Sequence, residues 1–263
     1  MTLYFSGTGN TEYIANLFSR RMGAVCLSIE DNVDFAGEIS AHDTLAFCYP
    51  VYGSRLPRIM RDFVAAHMPQ ISGKKLVVFA VQMIFSGDGA RVFADMFNDM
   101  PNIVYAEHFM MPNNVCNTPL LRPTSPAKMQ KYKAKAEGKM GRVCDDIRRG
   151  VVKKRGFSRL AMCLGSIQGR AWQGDSKISA PQPGLELKAK NAVRIHSHCN
   201  MCAHCTDICP MKNLAAHDGR IVHLNNCTVC YRCVNRCPQK AITVLYHRLP
   251  KWQYDAHVYD NNR

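Results

Sequence analysis

The stretch "TLYFSGTGNTEYIANLFSRRM", residues 2–22, decides the fold class. Residues 2–5 read as a short buried strand. "SGTGN" is too rich in glycine and hydroxyls to extend it. Beyond that turn, Ile14, Ala15, Leu17 and Phe18 recur at helical spacing. A strand, a tight turn and a helix N-terminus together make a cradle for phosphate. The first-turn amides have no acceptor inside the helix, and the helix dipole favours an anion there. Ser6, Thr8, Asn10 and Thr11 add polar side chains, and Gly9 adds backbone freedom. The turn is neither a Walker loop, which needs Gly-Lys-Ser/Thr, nor a GxGxxG dinucleotide turn. It contains no lysine, so it suits a phosphomonoester better than a triphosphate with magnesium. A plain β–α turn is the alternative.

The pattern repeats outward. Residues 44–50, 74–83 and 102–110 read as further strands, and 57–68 and 90–100 as helices between them. Such alternation predicts an α/β domain with a doubly wound parallel sheet, covered on both faces. Ligands in these sheets lie beyond the C-terminal strand ends. The loops there are "YPVYGSRLP", 49–57, and "QMIFSGDGA", 82–90.

The phosphate turn, the aromatic–glycine loop and the glycine-rich third loop closely resemble those of the flavodoxin family, over residues 1–150. The resemblance implies strand order 2-1-3-4-5 and bound FMN. Ser6, Thr8, Gly9, Asn10 and Thr11 would hold the phosphate. Pro50, Val51, Tyr52 and Gly53 would line the isoalloxazine, with Gln82, Met83, Ser86, Gly87 and Gly89 on its other side. Gly53 matches the glycine whose peptide can turn toward flavin N5. Many flavodoxins carry tryptophan where Tyr52 stands and tyrosine in the third loop, where this chain has Phe85.

Two cysteine runs dominate the other end. Cys199, Cys202, Cys205 and Cys209-Pro210 are followed 28 residues later by Cys227, Cys230, Cys233 and Cys237-Pro238. Each is the C-x2-C-x2-C-x3-C-P run of [4Fe–4S] binding. Three cysteines on one loop wrap three corners of a cube, and the fourth turns away to serve the other cube. One cluster therefore takes Cys199, Cys202, Cys205 and Cys237, and the other Cys209, Cys227, Cys230 and Cys233. Zinc in two CxxC pairs would leave the third cysteine and the Cys-Pro of each run without purpose. Residues 192–247, including "CPQKAI", resemble the bacterial two-cluster ferredoxins, a small α+β fold. So small a fold builds little core, and the clusters are expected to hold it together. His196, His198 and His204 are expected at its surface. The formal +5 of residues 191–248 falls to +1 with eight thiolates and two oxidised cubes. Ferredoxins of this kind are usually acidic, so the partner surface is expected to differ.

Charge is uneven. Of the net +14, residues 122–170 carry +11, whereas residues 1–121 carry −3. Residues 126–149 read as a helix, with Ser125 as N-cap and Pro126 at the first helical position. Residues 157–172 read as a second helix, and 179–190 as a linker. The basic residues form a solvated face, or dock an acidic redox partner or an anionic substrate. Nucleic acid is not indicated, because aromatics do not interleave the charges. Cys26, Cys48, Cys116, Cys144 and Cys163 are expected to be buried thiols. No run approaches the ~18 apolar residues of a membrane span, and the N-terminus lacks a secretory leader, so the expected location is the cytoplasm. The expected organisation is 1–150 flavodoxin-like, 151–190 connector, 191–248 ferredoxin-like and 249–263 tail.

The two halves together resemble the flavodoxin–ferredoxin fusion proteins of anaerobic bacteria and archaea, a likeness that "FMMPNN", 109–114, shares. That resemblance implies an electron-transfer protein joining two [4Fe–4S] clusters and FMN, with redox proteins, acidic ones among them, as partners. The alternatives are an oxidoreductase acting on a small molecule at the flavin and a redox or oxygen sensor. No acid–base pair marks a catalytic site, and His108 is expected to be structural.

Overall fold

The computed structural model describes residues 1–85, 87–173 and 184–259. Its first half is a parallel sheet of β1 (Thr2–Tyr4), β2 (Cys26–Ser28), β3 (Thr44–Pro50), β4 (Lys75–Gln82), β5 (Ile103–Met110) and β6 (Lys153–Lys154). The order is β2-β1-β3-β4-β5-β6, the expected order extended by β6, whose Lys153 pairs with Tyr105. β3 and β4 are nearly unbroken apolar runs because both of their faces are covered. On one face Leu3, Phe5, Phe47 and Val78 pack with Phe93 and Met60. On the other, Ala46, Cys48, Phe79 and Tyr105 pack with Ile14 and Phe18 of α1 (Asn10–Met22) and Met140 of α5 (Pro126–Arg148). α2 (Phe35–Ser40) buries Ile39 in the first of these clusters.

Two expected helices differ. The 57–68 helix splits into α3 (Arg58–Ala66) and α4 (Met68–Ile71), because Pro69 has no N–H to continue the ladder. The 90–100 segment forms only a 3-10 turn, Arg91–Met96. Arg91 clamps Asp88 (2.8 Å) and Asp95 (2.7 Å) around it, and Phe93 turns inward against Phe47, 4.7 Å between ring centroids. α5 starts as the sequence predicts: the Ser125 hydroxyl accepts from the Lys128 amide at 3.3 Å.

α6 (Arg159–Gln173) follows, and then α7 (Gly184–Ala192) stands where a linker was expected. α7 buries Leu185 and Ala189 in the core of the second half. That half pairs β7 (Arg194–Ile195) with β10 (Ile242–Thr243) and β8 (Leu214–His217) with β9 (Arg220–His223). The short helices α8 (His204–Asp207) and α9 (Arg232–Arg236) each follow a cysteine loop. The core there includes Leu214, Ile221, Tyr231, Val234, Ile242 and Val244. Cys48, Cys116 and Cys144 are buried, Cys26 is half-buried, and Cys163 is exposed on α6, contrary to expectation. Among the described residues no helix is long and apolar enough to cross a membrane.

Candidate functional site

The phosphate turn is built as a cradle. Gly9 takes φ +91, and its amide donates to the Ser6 hydroxyl oxygen at 3.1 Å. α1 then begins at Asn10 with no side-chain cap, so its first-turn amides have no acceptor within the helix. The Thr8 hydroxyl oxygen accepts from the Asn114 amide at 3.2 Å, which leaves the Thr8 proton to donate outward. Thr11 is buried at the start of the helix. The Asn10 carboxamide is engaged elsewhere, donating to the Pro112 carbonyl (2.8 Å) and accepting from the Tyr254 hydroxyl (2.5 Å). Its contribution to a phosphate would be its backbone amide.

This turn opens onto a cavity of about 470 Å³, within the usual range for a small-ligand or cofactor site. Ser6, Thr8, Asn10 and Thr11 line one end. Pro50, Val51, Tyr52 and Gly53 line a second wall, and Gln82, Met83 and Phe85 a third. Three loops separated in sequence therefore converge where the sequence places them. Gly87 and Gly89 face elsewhere: Gly87 packs on Gly165 of α6, and the Gly89 carbonyl accepts from Tyr49 at 2.8 Å. Ser86 lies outside the described residues. Tyr52 is half-buried, with its hydroxyl directed at Gly7. Among the described residues no Asp, Glu, Lys, Arg or His lines the cavity, in a chain of net charge +14. His108 is a core residue: its Nε2 accepts from the Ala90 amide at 3.1 Å, and burial lowers its pKa to about 4.

The two cysteine runs share one backbone design. Met201 and Ala203 flank Cys202 with φ +60 and +57; Val229 and Tyr231 flank Cys230 with φ +63 and +62. Lys212 and Lys240, three residues past the last cysteine of each run, follow at φ +48 and +53. Left-handed backbone at six non-glycine residues, one of them β-branched, is costly and is retained where function demands it. The sulfurs are matched too: Cys209 Sγ accepts from the Asn213 amide (3.2 Å) and Cys237 Sγ from the Ala241 amide (3.3 Å). Burial, then the charges of Cys237, Cys199 and Cys202, push the Cys205 thiol up to about 11. Burial, then Cys230 and Cys209, push Cys227 up to about 12. Cys202 is exposed, whereas Cys230 is buried. Among the described residues no three His, Cys, Asp or Glu side chains converge on a single metal ion.

The second run lies against the phosphate turn. A Cβ on Gly7 would stand 2.5 Å from the Cys230 carbonyl oxygen. Asn114 donates to that same oxygen at 3.3 Å. Val229 and Tyr231 complete the cavity wall. Sequence reading missed this junction, the part Asn114 plays in it, and Arg232, which donates to the Ser6 carbonyl at 2.7 Å. "FMMPNN" marked the segment carrying Asn114 but not its partners.

A family model described as a flavodoxin domain matches residues 1–138. Similar solved structures include two-electron reduced flavodoxin from Megasphaera elsdenii, with 21% identity over 52% of this chain and 97% of that one and a TM-score of 0.36. Oxidised flavodoxin 2 from Bacillus cereus has 22% identity over 51% and 92%, TM-score 0.35. General stress protein 14 from Treponema denticola, in complex with FMN, has 13% identity over 55% and 95%, TM-score 0.40. A search of curated proteins finds no match.

Proposed function

The chain belongs to the flavodoxin domain family through residues 1–138, and from that premise we propose that it passes electrons between FMN and two [4Fe–4S] clusters. FMN exchanges one or two electrons and each cluster one, so the bound set would join one-electron and two-electron redox partners. Ser6, Thr8, Gly9, Asn10 and Thr11 would hold the phosphate at the uncapped start of α1. Pro50, Val51, Tyr52 and Gly53 would face the isoalloxazine from one side and Gln82 and Met83 from the other. The uncharged, largely apolar cavity suits that ring.

Cys199, Cys202, Cys205 and Cys237 would hold one cluster, and Cys209, Cys227, Cys230 and Cys233 the other. The matched left-handed positions and N–H···S bonds of the two runs support a common ligand at each. The observation that carries the electron-transfer reading is the seating of Cys230 on the phosphate turn. It would make the second-run cluster the flavin's neighbour, and the exposed Cys202 would leave the first-run cluster nearer the surface. The surplus of Lys and Arg across residues 122–170 favours an acidic partner.

The test is anoxic purification followed by metal, sulfide and flavin analysis. One FMN with about eight iron and eight sulfide per chain is expected. Zinc in place of iron, or a colourless protein that takes up no FMN, would refute the proposal.

A second reading, turnover of a small molecule at the flavin, draws on the exposed Ile84, Phe85 and Leu120 at the cavity's rim. Reoxidation of reduced protein by uncharged organic acceptors, but not by redox proteins, would favour it over the relay.

A further inference from the structure

A circuit of hydrogen bonds, completed by short backbone stretches, joins the phosphate turn to residues beyond the 1–138 flavodoxin match. The Asn114 side-chain amide donates to Thr8 Oγ1 (3.2 Å), and the Asn114 backbone carbonyl accepts from Asn235 Nδ2 (2.8 Å). Asn235 Oδ1 accepts from the Tyr254 amide (2.8 Å), and the Tyr254 hydroxyl donates to Asn10 Oδ1 (2.5 Å). Asn10 returns the circuit by donating to the Pro112 carbonyl (2.8 Å). A cross-tie runs from the Ala256 amide to the Thr8 carbonyl at 3.0 Å. Asn235 lies between two cluster cysteines, and Tyr254 and Ala256 lie in the tail.

Asn235, Tyr254 and Ala256 are 5%, 2% and 4% exposed. Buried polar groups of this kind stay only where each is satisfied, so the circuit has little freedom to rearrange. Its geometry acts on two phosphate-facing elements. Thr8 Oγ1 receives a hydrogen bond from Asn114, which leaves the Thr8 proton available to donate. Asn10 is held from both ends of its carboxamide, which fixes the first turn of α1 and the direction of its amides.

We propose that Asn114, Asn235 and Tyr254 are positioning residues for the flavin phosphate: the second half of the chain and its tail set the shape of the cradle that the first half supplies. This rests on the FMN reading above, and it predicts that the circuit acts on the phosphate end of the ligand alone.

The test compares FMN with riboflavin, which lacks the phosphate, by fluorescence titration of the full iron-loaded chain after flavin removal. The unaltered protein is expected to bind FMN much more tightly than riboflavin. Asn114→Ala removes hydrogen bonds worth about 1 kcal/mol each, so FMN affinity should fall about 5–20-fold while riboflavin affinity stays within twofold. Tyr254→Phe deletes one hydroxyl and should lower FMN affinity about fivefold, again sparing riboflavin. If Asn114→Ala loses its iron or its fold, Tyr254→Phe decides the question. Equal losses for both flavins, or none for either, would overturn the positioning role. Failure of the FMN reading shows separately: the unaltered protein would take up neither flavin.

Discussion

Arg232 donates its Nη2 to the Ser6 carbonyl oxygen at 2.7 Å, fastening the second cysteine run to the phosphate turn across 226 residues of chain. The same guanidinium reaches the Gly7 carbonyl (3.2 Å), the Ile208 carbonyl (3.1 Å) and both carboxylate oxygens of Glu30 (2.7 and 2.6 Å). Lysine cannot make this fork. Arg232→Ala should therefore lower stability by about 2–3 kcal/mol, and Arg232→Lys should recover less than half of it. Urea unfolding followed by circular dichroism measures both. A shift in midpoint too small to resolve for Arg232→Ala would show that the junction contributes nothing.

Gly7 has no room for a side chain. Its added methyl would meet the Cys230 carbonyl at 2.5 Å and the Tyr52 hydroxyl at 2.9 Å. The first contact is backbone and cannot swing aside. Gly7→Ala should push the cysteine loop off the turn, costing about 1–3 kcal/mol and weakening FMN uptake. Gly138 makes the useful contrast. It sits exposed in the middle of α5, with nothing within 4 Å of an added Cβ. Gly138→Ala should stabilise the chain by about 0.5–1 kcal/mol, a rise in Tm of about 1–4 °C. A thermal scan of both variants should move them in opposite directions.

His108 gives the fold a pH dependence of known sign. Burial lowers its pKa to about 4, helped by Arg155 and opposed by Glu107, whereas the unfolded chain's histidine titrates near 6.5. Between these values the unfolded state binds the extra proton. Stability is thus unaffected above about pH 6.5 and falls as pH drops from there toward about 4, by on the order of 3 kcal/mol in total. His108→Gln keeps an acceptor for the Ala90 amide and removes this dependence. Denaturant unfolding at pH 7.5 and 5 should show a steeper loss in the unaltered protein than in the variant.

Cys163 should be the thiol that reagents find first. It is exposed on α6, whereas Cys48, Cys116 and Cys144 are buried, and burial raises the pKa of each of those three. Brief maleimide treatment of the iron-loaded chain, read by peptide mass spectrometry, should label Cys163 well ahead of those three.

The parallel sheet, α5 with its Ser125 cap, and the three converging loops are all legible in the sequence. They rest on local periodicity and on turn residues that few conformations accept. What the sequence does not carry is long-range pairing. Asn114, Asn235 and Tyr254 are ordinary polar residues until the fold brings them together, and Arg232 looks like one more cation in a basic chain. The 90–100 helix failed because Phe93 and the Arg91 clamps outweighed a weak helical pattern. α7 was hidden because its buried Leu185 and Ala189 are too few to set a period.

The contact between Tyr254 and Asn10 spans 244 residues, which gives it a consequence for biosynthesis. A ribosome adding roughly 5–20 residues per second needs about 12–50 seconds to reach Tyr254 after Asn10 has been made. During that interval the nascent β1–α1 unit exists without the clasp that shapes it. On the positioning role proposed for Tyr254, a tight grip on the flavin phosphate would thus come only after translation has passed Tyr254.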